Sequence, residues 1–230
     1  MSIAEDRARL LALLRDLSFE RRRVVLASGK ESDFYIDCKR TALTAEGHVL
    51  VGRCLFDRVR RVKPLVRAVG GLTLGADPLA SAIALTSFLE YERWRAQGQE
   101  RDAARERTAE EAGSAAPRAE AQPEHAIDAG EQYPLGPIDA FIVRKEPKGH
   151  GTGQWIEGRK TIPDGSRVAV LEDVVTTGGS ALKAIERCRA ESLQVVACFA
   201  LVDRKEGGRE AIEAAGVPLD ALFSREDFLP

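Results

Sequence analysis

The chain has 230 residues, of which 44% are hydrophobic and 30% charged, a composition typical of a globular protein that can bury its own core. Its formal net charge of −2 provides no general attraction to nucleic acid or to an anionic membrane. No stretch reaches the roughly 18 consecutive apolar residues of a membrane span, and acids and arginines interrupt the N-terminal MSIAEDRARLLALL, unlike in a signal peptide. We therefore expect a cytoplasmic protein with no membrane or nucleic-acid partner.

The N-terminal segment (1–40) predicts a helix followed by two short strands. Ser2 can cap the helix. Its apolar positions recur at helical spacing and are Leu10, Leu13, Leu14 and Leu17. The runs RVVLAS (23–28) and DFYIDCK (33–39) are rich in β-branched and aromatic residues and flank a serine–glycine turn, so they predict a hairpin or two adjacent strands.

A helix, a strand and another helix are predicted next. Thr44 can open the first of these helices, whose inward positions are Leu50, Cys54, Leu55 and Val59. LVRAVGG (65–71) is typical of a buried strand that ends in glycines. Asp77 followed by Pro78 can begin the second helix. Its first apolar positions are Leu79, Ile83 and Leu85.

The segment 92–135 differs in composition from its surroundings. Between Ala96 and Glu131 the only large aliphatic or aromatic residue is Ile127. Such a segment buries too little apolar surface to offset the entropy lost on ordering. We interpret it as a surface insertion that first continues the preceding helix and then forms a flexible tether. It could instead dock a partner, but its balanced charge indicates no specific one.

Strands and helices alternate after the insertion. The strands are IDAFIVRK (138–145), RVAVLED (167–173), LQVVACFALVD (193–203) and LDALFS (219–224), with helices at about 179–190 and 209–215. RVAVLED is nearly all apolar, as in a strand buried on both faces of a parallel sheet. The alternation predicts an α/β fold with a central, mainly parallel sheet flanked by helices.

The cysteines indicate no metal site. They are Cys38, Cys54, Cys188 and Cys198, without metal-ligand spacing, and the chain has three histidines. Cysteines of proteins in reducing compartments usually behave as small buried apolar residues. We expect four free thiols.

The stretch LEDVVTTGGSAL (171–182) joins a predicted strand to a predicted helix. Ligands bind at the carboxyl ends of strands in such sheets. Its glycines let the backbone approach an anion, and its hydroxyl groups can donate hydrogen bonds to it; these residues are Thr176, Thr177, Gly178, Gly179 and Ser180. The pattern predicts a phosphate-binding turn, although an ordinary capped strand–helix turn has similar residues.

Two acids, Glu172 and Asp173, precede this turn. They would repel a polyphosphate at close range, and the lysine of a Walker loop is absent. They can instead accept hydrogen bonds from sugar hydroxyls while a 5-phosphate occupies the turn. The combination therefore predicts a site for a phosphorylated ribose.

A second motif, FIVRKEPKGHGTGQWIEG (141–158), concentrates positive charge between glycines. The cationic residues are Arg144, Lys145, Lys148 and His150. A loop of this kind could close over a pyrophosphate and its Mg²⁺ and stabilise the charge of a leaving group. The alternative is a solvated basic loop.

VAVLEDVVTTGGSAL (168–182) resembles the phosphoribosyl pyrophosphate (PRPP) signature of type I phosphoribosyltransferases. The pattern R-K-x-x-K-x-H-G is similar to the mobile catalytic loop of orotate phosphoribosyltransferases, here residues 144–158. The resemblance implies one phosphoribosyltransferase domain (1–230) with an N-terminal hood segment (1–40). It implies PRPP and orotate as substrates, Mg²⁺ held mainly through PRPP rather than by protein ligands, and an obligate homodimer that shares the loop across its interface.

The resemblance also implies roles for individual residues. PRPP is bound by Arg144, Lys145, Lys148, His150, Glu172, Asp173, Val174, Val175, Thr176, Thr177, Gly178, Gly179 and Ser180. Among these, the catalytic residues are Lys148, His150 and Asp173. Orotate is bound by Phe34, Tyr35, Thr176 and Arg204, with Ile36 also bordering the pyrimidine. VGGLTLGADPLA (69–80) matches the family's glycine-rich loop beneath the pyrophosphate.

Four positions depart from the family pattern. Ala27 replaces a common lysine, Thr73 and Leu74 replace tyrosine and lysine, and Glu172 replaces the usual first aspartate of the acid pair. The cationic loop would then carry more of the phosphate charge. Two alternatives are a phosphoribosyltransferase for another base, which the R-K-x-x-K-x-H-G loop argues against, and a PRPP-sensing regulator. A regulator should carry a DNA-binding element, and we identify no such addition.

Overall fold

The fold was obtained as a computed structural model, which describes residues 2–22, 24–25, 31–111, 136–147 and 154–229. The α-helices are α1 (Ile3–Leu13), α2 (Lys39–Ala42), α3 (Ala45–Val59), α4 (Asp77–Glu111), α5 (Gly179–Ala190) and α6 (Gly208–Ala214). The strands are β1 (Phe19–Glu20), β2 (Val24–Val25), β3 (Glu31–Ser32), β4 (Tyr35–Ile36), β5 (Ala68–Leu72), β6 (Asp139–Val143), β7 (Ile156–Glu157), β8 (Arg167–Val175), β9 (Gln194–Asp203) and β10 (Leu219–Ser224). A π-helical turn (Leu14–Ser18) and two 3₁₀ turns (Arg159–Thr161 and Arg225–Asp227) complete the elements.

The central sheet has six strands in the order β10-β9-β8-β5-β6-β7. Neighbouring strands are parallel except for the two-residue pairing of β6 with the edge strand β7. The carboxyl ends of β5, β8 and β9 therefore lie at one edge of the sheet. This arrangement confirms the prediction of an α/β fold with a mainly parallel sheet.

The sheet separates two apolar cores. Helices α1, α3 and α4 pack on one face and α5 and α6 on the other. In β8, Ala169 and Leu171 point into the first core, whereas Val168 and Val170 point into the second. This alternation is why RVAVLED needs apolar residues at both phases of the strand. Among the helices of the described ranges, none is long and apolar enough to cross a membrane.

Helix α1 begins as predicted but is followed by a π-helical turn rather than by further α-helix. Ser2 and Glu5 form a reciprocal capping box. The side chains of Leu10, Leu13 and Leu14 are buried. Leu17, which shares their helical spacing in the sequence, is 41% exposed. The cause is the π-helical turn, because its wider hydrogen bonding breaks the 3.6-residue spacing on which the prediction relied.

The N-terminal segment contains two strand pairs, but RVVLAS (23–28) and DFYIDCK (33–39) do not pair with each other as predicted. Strand β2 pairs with β3, and β1 pairs with β4, both antiparallel. The strand in DFYIDCK therefore pairs with Phe19–Glu20 rather than with the RVVLAS run. Phe19 and Phe34 pack together there, with ring centroids 5.0 Å apart. This aromatic contact explains the pairing, which local sequence spacing did not indicate.

Helices α3 and α4 pack closely. The Thr44 side chain accepts a hydrogen bond from the Gly47 amide (3.0 Å) and caps α3 as predicted. A Cβ atom at Gly52 would lie 2.4 Å from Thr86 Oγ1, so glycine permits the close approach of the two helices. The four predicted inward residues of α3, which are Leu50, Cys54, Leu55 and Val59, are buried.

Helix α4 confirms that the first part of the 92–135 insertion is helical, since it continues to Glu111. The remaining part, 112–135, lies outside the described residues. Leu79 and Ile83 are buried, but Leu85 is exposed.

All four cysteines are buried free thiols, as predicted. Burial raises the pKa of Cys198 to about 12, which keeps this thiol protonated at neutral pH.

Candidate active site

Three loops meet at the carboxyl edge of the sheet. They follow β5, β8 and β9, and backbone hydrogen bonds connect them to neighbouring strands. The Thr73 amide donates to the Val143 carbonyl (2.9 Å), and the Arg204 amide donates to the Val175 carbonyl (2.9 Å). The fold thus brings the glycine-rich loop, the acid pair and Arg204 to one edge, although they are far apart in sequence.

The predicted phosphate turn has three exposed residues, which are Thr177, Gly179 and Ser180. Residues 176–178 form the turn, and Gly179 begins α5. Gly178 has φ +81°, a left-handed conformation that favours glycine. Thr177, Gly179 and Ser180 are exposed at the positive end of the helix dipole, so the turn can accept an anion.

A glycine pair at the start of α6 supports this turn. A Cβ atom at Gly208 would lie 2.5 Å from the Thr176 carbonyl oxygen. Only glycine therefore allows α6 to pack against the turn. The sequence patterns did not predict this role, although the pair Gly207–Gly208 lies directly before a predicted helix.

The two acids of the pair occupy different environments. Glu172 is 7% exposed, and burial, followed by the charge of Asp173, raises the pKa of Glu172 to about 9. Asp173 is partly exposed, and its Oδ1 accepts a hydrogen bond from the Val174 amide (3.0 Å). Burial therefore favours a protonated Glu172 at neutral pH, and the Asp173 carboxylate is the more accessible of the two groups.

Replacing Glu172 by glutamine is expected to stabilise the fold more at pH 8 than at pH 5. The folded-state pKa of Glu172 lies above its unfolded value of 4.5, so between pH 4.5 and about 9 the folded protein retains a proton that the unfolded chain releases. Stability lost with rising pH in this window is restored by the neutral amide. Urea unfolding at pH 5 and pH 8 measures the difference in unfolding free energy between the variant and wild type. If this difference did not grow with pH, the raised pKa of Glu172 would be contradicted.

Lys39, which the sequence analysis did not consider, lies beside the acid pair. Its Nζ is 2.7 Å from Asp37 Oδ1 and 3.7 Å from Asp173 Oδ2. The side-chain hydrogen bond to Asp37, with the charge of Asp173, raises the pKa of Lys39. The missed signal was a lysine directly after a strand that was itself assigned to the site.

The glycine-rich loop lies against Asp173. A Cβ atom at Gly75 would lie 2.4 Å from Asp173 Oδ1, so a side chain there would displace the carboxylate. The Thr73 hydroxyl donates to Asp77 Oδ2 (2.6 Å) at the start of α4, whereas Leu74 is exposed. Thr73 and Leu74 are two of the four departures from the family pattern. Thr73 thus supports the loop, and Leu74 faces outward.

Arg204 lies next to the ring of Phe34 in the structure. Arg204 is buried, forms an ion pair with Glu206 (2.9 Å), and has its Cζ 5.3 Å from the centre of the Phe34 ring. The Phe34 ring is fully buried and packs on Phe228, with centroids 5.7 Å apart. Phe34 is therefore a support beneath Arg204. The guanidinium of Arg22 lies over the Tyr35 ring, with its Cζ 3.9 Å from the ring centroid.

The described part of the cationic loop has its base held by specific contacts. The Arg144 amide donates to the Trp155 carbonyl (2.9 Å), and its guanidinium pairs with Glu157 (3.0 Å). The Trp155 ring in turn lies under Arg187 of α5, 3.5 Å from its Cζ. Lys145 is exposed. Predicted residues Lys148 and His150, like Ala27, lie outside the described residues.

Comparisons with known proteins agree with this geometry. A family model described as phosphoribosyl transferase domain matches residues 134–215. Orotate phosphoribosyltransferase of Sorangium cellulosum is 46% identical over 227 residues, covering 99% of this chain and 95% of the relative. The Mycobacterium tuberculosis orotate phosphoribosyltransferase structure with Fe(III) dicitrate has a TM-score of 0.67 at 34% identity, covering 98% of this chain and 99% of that one.

The same Mycobacterium tuberculosis enzyme in complex with PRPP has a TM-score of 0.63 at 33% identity, with 97% of this chain and 98% of that chain covered. Coverage of nearly the whole chain at this identity extends the likeness beyond the two motifs. The chain belongs to the orotate phosphoribosyltransferases, a family of pentosyltransferases with the type I phosphoribosyltransferase fold.

Proposed function

We propose that this chain transfers the phosphoribosyl group of PRPP to orotate in a Mg²⁺-dependent reaction that yields orotidine 5′-monophosphate and pyrophosphate for pyrimidine synthesis. The observation that carries the proposal is the arrangement at the end of β8. A carboxyl pair is followed at once by an exposed, glycine-rich helix N-terminus, with a buried arginine on the next loop. The carboxyl pair can accept hydrogen bonds from the sugar, the helix N-terminus can bind the phosphate, and the arginine can pair with the carboxylate of the base.

In this mechanism the chain positions its substrates rather than abstracting a proton. Asp173 and Glu172 hold the ribose hydroxyls, and residues 176–180 hold the 5-phosphate. The planar guanidinium of Arg204 takes the carboxylate of orotate and exchanges its pairing with Glu206 for it. As the bond between ribose C1 and pyrophosphate breaks, the pyrimidine nitrogen attacks C1 through an oxocarbenium-like transition state. Orientation and charge stabilisation supply the catalysis.

The leaving pyrophosphate would be stabilised by the cationic loop, with Lys145, Lys148 and His150 as its ligands. The Arg144 contacts with Glu157 favour a role at the base of the loop. Mg²⁺ prefers oxygen ligands and keeps substrate phosphates in its coordination shell. Within the described residues no group of three or more His, Cys, Asp or Glu side chains could hold a metal ion. We propose that the oxygens of PRPP supply most of the ligands of Mg²⁺.

The reaction is tested by mixing the protein with PRPP, Mg²⁺ and orotate and following the loss of orotate absorbance. Adenine, hypoxanthine and uracil serve as competing bases, with products identified by chromatography. We expect turnover with orotate alone. Turnover with a different base would reassign the substrate. Tight PRPP binding without turnover on any base would instead support a PRPP-sensing regulator.

We further propose that the chain is a cytoplasmic homodimer that shares its catalytic loop across the interface. An apolar face of α4 supports the dimer, since Leu85, Phe88 and Leu89 are 54%, 49% and 49% exposed at helical spacing. On the neighbouring helix α3, Val49 is also 55% exposed, and His48 lies 3.5 Å from Ser81 of α4. A second copy with the same face would bury both surfaces symmetrically.

Phe88→Glu is expected to convert the dimer to a monomer, because it places a charge in the centre of this apolar face. Light scattering after size-exclusion chromatography measures the mass. Phe88→Leu is the matched control and should remain dimeric. If Phe88→Glu kept the dimer mass, the interface would have to lie elsewhere. A monomer with unchanged turnover would exclude a loop shared between subunits.

A further inference from the structure

Lys39 occupies a position that neither motif accounts for. It is the first residue of α2, its side chain is 40% exposed, and its Nζ lies between two carboxylates, 2.7 Å from Asp37 and 3.7 Å from Asp173. The Asp173 side chain is only 14% exposed, so this contact is shielded from solvent on the aspartate side. The ammonium thus touches the carboxylate assigned to the ribose.

We propose that Lys39 is a positioning residue that holds the Asp173 carboxylate in place as the charged acceptor for the ribose hydroxyls. This inference rests on the ribose-holding role of Asp173 in the proposed function. Two adjacent carboxyl groups divide their roles according to their environments. Glu172 is buried and lies away from solvent, whereas Asp173 faces the ammonium of Lys39.

The surroundings of Asp173 explain why its orientation depends on Lys39. Its Oδ1 is held by the Val174 amide (3.0 Å) and faces Gly75, where a Cβ atom would lie 2.4 Å away. Its Oδ2 faces Lys39. Asp37 fixes the lysine in turn, because it accepts hydrogen bonds from both the ammonium and the Lys39 amide (3.2 Å). Asp37, Lys39 and Asp173 therefore form one chain of contacts that ends at the substrate.

The alternative is a purely structural ion pair between Lys39 and Asp37 at the start of α2. Such a pair would affect the stability of the fold but not the affinity for ribose in particular. The two explanations differ in their coupling to Asp173. If Lys39 acts through this carboxylate, its removal should cost nothing further once Asp173 has lost its charge.

The test is a double-mutant cycle with ribose 5-phosphate as the probe and titration calorimetry as the readout. Lys39→Met is expected to weaken binding about fivefold, the magnitude of a partly exposed charge pair, and Lys39→Arg should restore most of it. Asp173→Asn should bind more weakly still, and the double variant should match Asp173→Asn. Inorganic phosphate, which reports on the turn alone, should bind Lys39→Met and wild type equally. The matched control is Lys160→Met, an exposed lysine after β7.

The outcomes distinguish a failure of the role of Lys39 from a failure of the ribose-holding role of Asp173. Wild-type ribose 5-phosphate affinity in Lys39→Met, with Asp173→Asn weakened, would overturn the role of Lys39 and leave the proposed function standing. Additive losses would also overturn it, because Lys39 would then act independently of Asp173. Wild-type affinity in Asp173→Asn would remove the ribose role itself and the inference built on it. Circular dichroism of each variant confirms that the fold is retained.

Discussion

Lys148→Ala is expected to lower kcat by about 10²–10³-fold, the loss seen when one preorganised group that stabilises transition-state charge is removed. The lysine lies at the centre of the R-K-x-x-K-x-H-G motif, and the described contacts at Arg144 and Trp155 hold the base of this loop. Charge accumulates on pyrophosphate as its bond to C1 breaks, so an ammonium there acts mainly in the transition state. Steady-state kinetics with saturating orotate and PRPP measures kcat.

The control for this prediction is Lys160→Ala, which removes an exposed lysine at the opposite edge of the sheet. It should retain full activity. Thermal unfolding of Lys148→Ala should match wild type, because a loss of fold would also lower activity. A folded Lys148→Ala enzyme with wild-type kcat would rule out the assigned role of the loop.

Asp173→Asn is expected to weaken PRPP binding about 10- to 100-fold, since hydrogen bonds to an ionised acceptor are worth about 1.5–3 kcal/mol. The substitution keeps the shape of the side chain but removes the charge that faces Lys39. It also places an amide donor where the ribose hydroxyls need an acceptor. Titration calorimetry with PRPP and Mg²⁺ in the absence of orotate gives the affinity directly.

Asp220→Asn is a suitable control, because Asp220 lies on the edge strand β10, away from the carboxyl end of β8. It forms an ion pair with Arg58 of α3. It should bind PRPP like wild type. Unchanged affinity in Asp173→Asn would show that the acid pair does not hold the sugar. A loss of orotate affinity alone would move Asp173 to the base site.

Local sequence determined the elements that carry the site. The bounds predicted for α5 and β10 agree with the structure, because an apolar run with turn residues on both sides leaves little choice of ends. The cap of α3 at Thr44 followed in the same way from a residue and its nearest neighbours. The predicted phosphate turn is contiguous in sequence, so it could be proposed as an anion site from its residues alone.

The tertiary structure decided which distant residues complete the site. Lys39 meets Asp173, Gly208 packs on the phosphate turn, and Glu157 pairs with Arg144 only once β5, β8 and β9 have aligned their carboxyl ends and β7 has paired with β6. The π-helical turn at the end of α1 also could not be read from spacing, and it leaves Leu17 exposed. Spacing along the chain reports on local hydrogen bonding and burial, whereas contacts between loops depend on the order of strands in the sheet, which no local pattern contains.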